Sequence, residues 1–411
     1  MNPTVSYERA KRACFLTCGS TAITANLPPL LFLTFREQFG ISFSQIGLLV
    51  LVNFGVQLLF DALFSFFSHK FNIPKTLRLM PALMVAGMVL YALLPLCFPR
   101  FAYPGLLLGT AIFAVGNGLA EVLVSPTIAS IPSSNPDRTM SRLHSCYAWG
   151  VPAVVAASTL FFRLFGTEYW HVLTLVLAAF PLCASLMLFA SPIPPVETPK
   201  ETSAAAGVFR DPTVLLYVAC IFLGGATECT MSQWCSGYLE TAFGIEKTVG
   251  DLLGVALFGL MMAIARTLYA KIGRNIGKVL LFSALGSAVC YLTAVVSNVS
   301  VVGLLACACT GLFSAMLWPG TLIAVAEKVP HGGVALYALM ALGGDLGASL
   351  CPQGVGLITD AVIGSSFAPS LSETFGITVE QLGIKAGMAF AMLFPIALTV
   401  LYFLAQKKKA N

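Results

Sequence analysis

The sequence has 411 residues, of which 57% are hydrophobic and only 10% are charged. Soluble proteins carry about 25% charged residues, so this composition excludes a water-soluble protein and predicts an integral membrane protein. The net charge of +5 does not indicate nucleic-acid binding, because the basic residues are spread over short loops.

Twelve apolar segments follow one another along the chain, each near the roughly 20 residues that cross a bilayer as a helix. We call them spans 1 to 12. They cover residues 13–35, 46–67, 76–98, 105–130, 143–165, 170–190, 212–239, 250–270, 278–297, 301–326, 332–362 and 384–405. The first run is longer than the apolar core of a signal peptide and lacks a cleavage site, so span 1 is expected to be retained.

The lysines and arginines are distributed unequally between the two sides of the membrane. An even number of spans puts both termini on one side, and that side holds 17 basic residues against 5 in the opposite loops. Since basic loops remain in the cytoplasm, both termini are predicted to be cytoplasmic in a multi-pass protein of the plasma membrane. We call the opposite side of the membrane the outer side.

One loop differs from the others in composition. Residues 191–211, SPIPPVETPKETSAAAGVFRD, are rich in proline, serine and charged residues. Such a composition is typical of a linker. It predicts an N-terminal six-helix bundle at 1–190, a cytoplasmic linker at 191–211 and a C-terminal six-helix bundle at 212–411.

The two halves repeat a short pattern. Span 4 contains GLAEVLVSP and span 10 contains GLFSAMLWP, so Gly118 and Pro126 correspond to Gly311 and Pro319. The loops before spans 2 and 8 also match, with FGISFSQIG starting at 39 and FGIEKTVGD at 243. Two parallel six-helix repeats predict an all-α fold of two pseudo-symmetric bundles, with a substrate site between them near the middle of the membrane.

On these features the chain resembles the major facilitator superfamily over its whole length, and spans 4 and 5 resemble the fucose permease branch of proton–sugar symporters. That branch has an acid in span 4 followed five residues later by proline, as Glu121 is by Pro126. The resemblance implies a coupling role for Glu121. It does not imply fucose as substrate, because Pro29 replaces an acid of span 1 and Tyr147 a sugar-contacting glutamine.

Glu121 is an acid inside an apolar span. It shares a helix face with Asn117 and Ser125, each four residues away. A charge at this depth costs about 2.5–3.5 kcal/mol or more, and a carboxyl reached by a water-filled passage can load a proton on one side and release it on the other. We therefore predict proton coupling at Glu121. The alternative is a structural carboxyl tied to a neighbouring hydroxyl or base.

Two more acids lie in the second half, Glu228 in span 7 and Asp345 among the glycines of span 11. Both are predicted to serve proton or ion coupling, with packing or a structural hydrogen bond as the alternative. Amides and aromatic rings near these acids suit a polyol, whose hydroxyls bond polar groups while its apolar face stacks on a ring. The predicted substrate-binding residues are Asn117, Tyr147, Trp149, Gln233, Trp234 and Trp318.

Asp61 in span 2 and Arg266 in span 8 are opposite in charge and nearly equivalent in the repeat. We predict that both residues act in gating, through a gate or a structural ion pair. The sequence does not indicate whether they pair with each other.

These features predict a secondary active transporter, a monomer in the lipid bilayer that carries a small polar solute such as a sugar with protons by alternating access. Sodium-coupled symport and proton-driven export of drugs or other amphiphiles are the alternatives. A scaffold without transport is disfavoured by the three acids. No nucleotide-binding loop, metal-ligand cluster or nucleophile triad is visible in the sequence, so neither an enzyme activity nor a cofactor or metal is expected.

Overall fold

The computed structural model describes residues 6–67, 70–133, 136–196, 211–272, 275–329 and 333–407. Most of the predicted linker, at 197–210, and the basic C-terminus, at 408–411, lie outside the described residues. Within the described ranges, eleven helices are long and apolar enough to cross a membrane, and a shorter apolar helix covers Trp149–Phe165. Helices form here because a chain in lipid must satisfy its own backbone hydrogen bonds. The predicted all-α, twelve-span membrane fold is confirmed.

In the first half, the helices of spans 1 to 5 begin a few residues before the predicted spans, and span 6 begins where it was predicted. Span 1 is interrupted where Pro28 and Pro29 remove two backbone donors. The bounds are Glu8–Asn26, a 3-10 turn at Pro28–Leu31 and Phe32–Phe39 for span 1, Phe43–Phe67 for span 2, Ile73–Cys97 for span 3, Ala102–Ala129 for span 4, Pro136–Phe165 for span 5, and Trp170–Leu177 with Ala179–Phe189 for span 6.

In the second half, span 10 is interrupted and a new helix begins at Pro319. The bounds are Pro212–Phe243 for span 7, Ile276–Val296 for span 9, Ser300–Ser314 with Pro319–Lys328 for span 10, Gly333–Ile363 for span 11 and Val379–Lys407 for span 12. Span 8 runs from Lys247–Val249 through a π-helical turn at Gly250–Ala256 into Leu257–Ile272. A short helix at Ala368–Phe375, between spans 11 and 12, is absent from the sequence prediction.

The chain divides into two compact units. The first unit comprises Met1–Thr34 and Gly55–Thr202, and the second comprises Phe35–Phe54 and Ser203–Asn411. The division therefore places the adjoining ends of spans 1 and 2 with the C-terminal half. The bundle boundaries at 190 and 212 stay a prediction.

Each unit has its own apolar core. In the first unit, Met80 and Met84 of span 3 pack with Leu119 and Leu123 of span 4. In the second, Ile221 of span 7, Leu280 of span 9 and Leu398 of span 12 are buried in one cluster. The polar side chains of each unit are therefore carried by helices that share a buried apolar core.

The repeated glycines bring equivalent helices together in both units. A Cβ on Gly118 would lie 3.1 Å from the backbone of Gln57 in span 2, and one on Gly311 would lie 2.1 Å from the carbonyl oxygen of Phe258 in span 8. Span 4 therefore packs on span 2 as span 10 packs on span 8. This shared contact gives the sequence repeat a physical cause.

Three Phe-Gly-Ile segments end helices near the predicted outer side. Gly40, Gly244 and Gly376 have φ angles of 64°, 63° and 64°, a left-handed conformation that costs other L-residues about 1–2 kcal/mol. The first two segments are predicted from the sequence, and the third, FGITVEQLG at 375, is not.

The first and third segments are followed by matching capping boxes. Gln45 Oε1 accepts a hydrogen bond from the Ser42 N–H at 2.8 Å, and the Gln45 N–H donates to Ser42 Oγ at 3.2 Å. Thr378 and Gln381 make the same reciprocal pair at 2.9 and 3.1 Å. The motif thus stops one helix and starts the next within a few residues.

Candidate coupling and substrate site

Glu121 is exposed, although the five residues before it in span 4 are all buried. It precedes the end of the helix Ala102–Ala129 by eight residues, a distance of about 12 Å at 1.5 Å per residue. The residue therefore lies within the apolar thickness of the membrane. Proton exchange at Glu121 requires that this exposed surface face a water-filled passage and not lipid.

Asn117, one turn before Glu121, is buried and ties span 4 to span 1. Its Oδ1 accepts a hydrogen bond from Thr24 Oγ1 at 2.9 Å, and its side chain is 3% exposed. Thr24 is not among the predicted site residues, although Ser20 and Thr24 lie four residues apart on one face of span 1. Asn117 thus supports the helix that carries Glu121.

Glu228 and Arg266 form an ion pair in the second unit. Arg266 Nη2 lies 3.3 Å from Glu228 Oε1 and 3.5 Å from Oε2, while Arg266 Nε donates to the Ala315 carbonyl at 3.0 Å. The arginine side chain is 44% exposed and the glutamate 18%. Because a single nitrogen makes both contacts with the carboxylate, the pair is loose and leaves part of the guanidinium open.

Asp345 and Trp318 lie close to this pair. The carbonyl oxygen of Gly344, the neighbour of Asp345, would lie 2.5 Å from a Cβ on Gly225, which is one turn before Glu228. The half-buried Trp318 ring packs over two glycines, since a Cβ on Gly344 would come within 2.3 Å of it and one on Gly225 within 3.0 Å. Spans 7, 8, 10 and 11 therefore contribute two acids, one arginine and one indole to the same region of the second unit.

Trp234 has a different environment from the one predicted. Its indole is 1% exposed, its Nε1 donates to the Pro352 carbonyl at 3.0 Å, and its ring packs 6.1 Å from that of Phe43. In this structure the indole therefore packs against protein groups, and its role in substrate binding stays a prediction. Gln233 beside it is also buried.

The two aromatic residues predicted on span 5 are exposed. Tyr147 is 41% and Trp149 71% exposed. Trp149 shares its helix face with Ala153, Ala156 and Leu160, which are exposed and apolar. This composition favours lipid contact over solute binding for Trp149, whereas a solute contact of the exposed Tyr147 stays a prediction.

Asp61 is buried in the first unit, at 8% exposure. It follows by one turn Gln57, whose backbone packs against Gly118, so Asp61 lies on the face of span 2 near span 4. Arg266, its predicted counterpart in gating, makes its described contacts with Glu228 and Ala315.

A further acid, Asp251, was missed in the sequence. It lies in the π-helical turn of span 8 with a side chain that is 0% exposed, and it pairs with Lys247 Nζ at 3.3 Å. Ser236 of span 7 donates a short hydrogen bond to it. A lysine and an acid four residues apart on one helix were the available sequence signal.

Several solved transporters have similar folds. A bacterial homolog of the human lysosomal transporter Spinster aligns with a TM-score of 0.75 at 15% identity, over 99% of this chain and 98% of its own. A D-xylose-proton symporter aligns with a TM-score of 0.71 at 17% identity, over 95% of this chain and 97% of its own. The Escherichia coli fucose:proton symporter aligns with a TM-score of 0.57 at 16% identity, over 96% of this chain and 99% of its own. At sequence identities this low, the similarity shows a shared fold and nothing finer.

No curated protein matches the chain. The sequence model of the Major Facilitator Superfamily, however, matches residues 13–352, which is most of the chain. Together with the twelve-span helical fold, this match confirms the resemblance stated from the sequence, and the chain belongs to the Major Facilitator Superfamily.

Proposed function

We propose that the protein is a secondary active transporter that carries a small polar solute, such as a sugar, together with protons by alternating access of its two bundles. The exposed carboxyl of Glu121, within the apolar thickness of the membrane, carries this proposal. A charge there costs about 2.5–3.5 kcal/mol or more, and proton coupling is the role that would offset this cost. Glu121 is the proposed site of the coupled proton.

The second unit supplies the proposed solute contacts. The loose contact between Arg266 and Glu228, at 3.3 and 3.5 Å, can be exchanged for bonds to solute hydroxyls, because the guanidinium has five N–H donors. Trp318 is a second candidate for the stacking role that was predicted for Trp234. Asp345 is the proposed second ionisable group at this site, and the sugar–proton symporters among the similar folds support this class of solute.

The first prediction concerns Glu121→Gln in proteoliposomes loaded with a solute found by screening labelled sugars and polyols for counterflow. One pH unit corresponds to about 1.4 kcal/mol, so a one-to-one symporter should accumulate solute about tenfold across that difference. The variant should lose this accumulation and keep counterflow exchange, because exchange needs no net proton movement. Accumulation and counterflow are measured on the same vesicles.

The matched control is Glu168→Gln, which removes the charge of an exposed acid in the loop before span 6. It should behave like the wild type. If accumulation by the wild type requires a sodium gradient and does not respond to the pH gradient, the coupled ion is sodium and not the proton. Pumping of amphiphilic dyes in exchange for protons, without sugar counterflow, would support an exporter instead.

A further inference from the structure

The first turn of span 2 lacks partners of its own for two backbone donors. A helix leaves its first N–H groups without acceptors inside the helix. The capping box satisfies the N–H groups of Ser42 and Gln45, and the Ile46 N–H donates to the Ser42 carbonyl at 3.0 Å. The N–H groups of Phe43 and Ser44 remain, and local sequence gives them no acceptor.

Asp360, near the end of span 11, accepts both of these hydrogen bonds. The Phe43 N–H donates to Oδ1 at 3.2 Å and the Ser44 N–H donates to Oδ2 at 2.7 Å. Ser44 Oγ also donates to the Gly356 carbonyl at 3.3 Å. A carboxylate from a distant span thus caps this helix at its N-terminus, where the helix dipole favours a negative charge.

An ion pair lies at the neighbouring end of span 1. Arg36 Nη2 lies 2.5 Å from Glu380 Oε1 in the first turn of span 12. The same guanidinium lies over the Phe43 ring, with 3.9 Å between Arg36 Cζ and the ring centroid. Arg36 therefore connects span 12 to the helix start that Asp360 caps.

The backbones below these charges are in close contact. A Cβ on Gly356 would lie 2.3 Å from the Phe43 carbonyl oxygen, and one on Gly47 would lie 2.9 Å from the Gln353 Cα. The sequence repeat assigns 35–54 to the N-terminal half, yet these residues are part of the second unit. Contacts so tight cannot persist if this segment moves away from spans 11 and 12.

We propose that Arg36, Asp360 and Glu380 form an outer latch, which holds the adjoining ends of spans 1 and 2 on spans 11 and 12 and must release when the transporter opens to the outer side. The inference rests on the proposed alternating access. Because the latch consists of charged groups, removing one of them shifts the conformational equilibrium without touching Glu121 or the Glu228–Arg266 pair. These three residues act by holding helix ends in position during the transport cycle.

Hydrogen exchange in lipid nanodiscs tests the latch with the full chain and needs neither solute nor a proton gradient. Asp360→Ala should speed exchange by about tenfold or more, since hydrogen bonds to charged groups are among the stronger ones. The increase should cover peptides from 39–50 and also the facing peptides from 350–360 and 376–388. This increase in hydrogen exchange does not depend on proton coupling, so it is expected even if Glu121→Gln still accumulates solute.

Glu373→Gln is the matched control, because Glu373 is an exposed acid in the short helix between spans 11 and 12. It should leave exchange unchanged. Arg36→Glu and Glu380→Arg should each increase exchange, and the double variant should restore protection, which a folding defect would not do. Faster exchange confined to Phe43 and Ser44 would mean a simple helix cap, and unchanged exchange or an unrestored double variant would overturn the latch.

Discussion

At the scale of single residues, the contact between Glu228 and Arg266 is the most informative in the second unit. The two side chains meet at 3.3 Å, with the arginine 44% exposed, so screening by solvent reduces the energy of the pair. Removing the arginine still leaves Glu228 without this partner at the middle of span 7. The magnitude of the coupling decides whether the pair is structural or held ready for exchange with solute.

The second prediction is a double-mutant cycle with Glu228→Gln and Arg266→Gln. Each single variant should lower the thermal stability of the purified protein, while the double variant should lose less than the sum of both. The expected coupling is about 0.5–3 kcal/mol, the range for side chains in direct contact. Thermal unfolding followed by tryptophan fluorescence measures it. Losses that simply add would show that the two charges act separately.

At the scale of helices, the packing of span 10 on span 8 depends on Gly311. An added Cβ would meet the Phe258 carbonyl oxygen at 2.1 Å, whereas on Gly118 the nearest atoms lie at 3.1 Å, and on Gly55 nothing lies within 4 Å. All three glycines are inside helices. They therefore form a graded series in which only the space around the new methyl group differs.

The third prediction follows from this series. Gly311→Ala should destabilise the protein by about 1–3 kcal/mol, as overpacking does. Gly118→Ala should have a smaller effect, and Gly55→Ala should stabilise by up to about 1 kcal/mol, because alanine favours helix. Thermal unfolding of the three variants checks the order. Equal effects at Gly311 and Gly55 would contradict the close helix contact.

The helices themselves were predictable from sequence because long apolar runs in lipid have no other stable conformation. The helix at Ala368–Phe375 was missed because it is short and half polar. The third Phe-Gly-Ile segment carries the same signal in the sequence as the first two. Pairings such as Asp360 with Phe43 and Ser44, more than 300 residues apart, depend on tertiary packing that no local pattern contains.

The residues of the site were also predictable to different degrees, because the roles of some of them depend on tertiary packing. Glu121 stood out because an acid in an apolar span is costly wherever the helix packs. Trp234 did not behave as expected, because the apolar character of indole suits both a solute pocket and a closed interior. Its burial between Phe43 and Pro352 follows from the approach of span 2 to span 7, which the sequence does not show.

At the scale of the whole molecule, the asymmetry of basic residues fixes an expected orientation. Seventeen lysines and arginines lie on the side of the termini and five on the opposite side. Each basic residue near an anionic leaflet contributes about 1 kcal/mol, so the inverted orientation is strongly disfavoured. The same orientation places Arg36, Asp360 and Glu380 near the outer side, where a latch would close the route from outside.

The fourth prediction tests this orientation with epitope tags in cells. Tags on the N-terminus and on the C-terminus should bind antibody only after the cells are permeabilised, because both termini are predicted to be cytoplasmic. A tag inserted after Ser366, in the exposed loop between spans 11 and 12, should bind antibody on intact cells, since exposed loops tolerate insertions. Transport by each tagged protein serves as the folding control. Staining of either terminus on intact cells would reverse the orientation or change the number of spans, and would move the latch to the other side of the membrane.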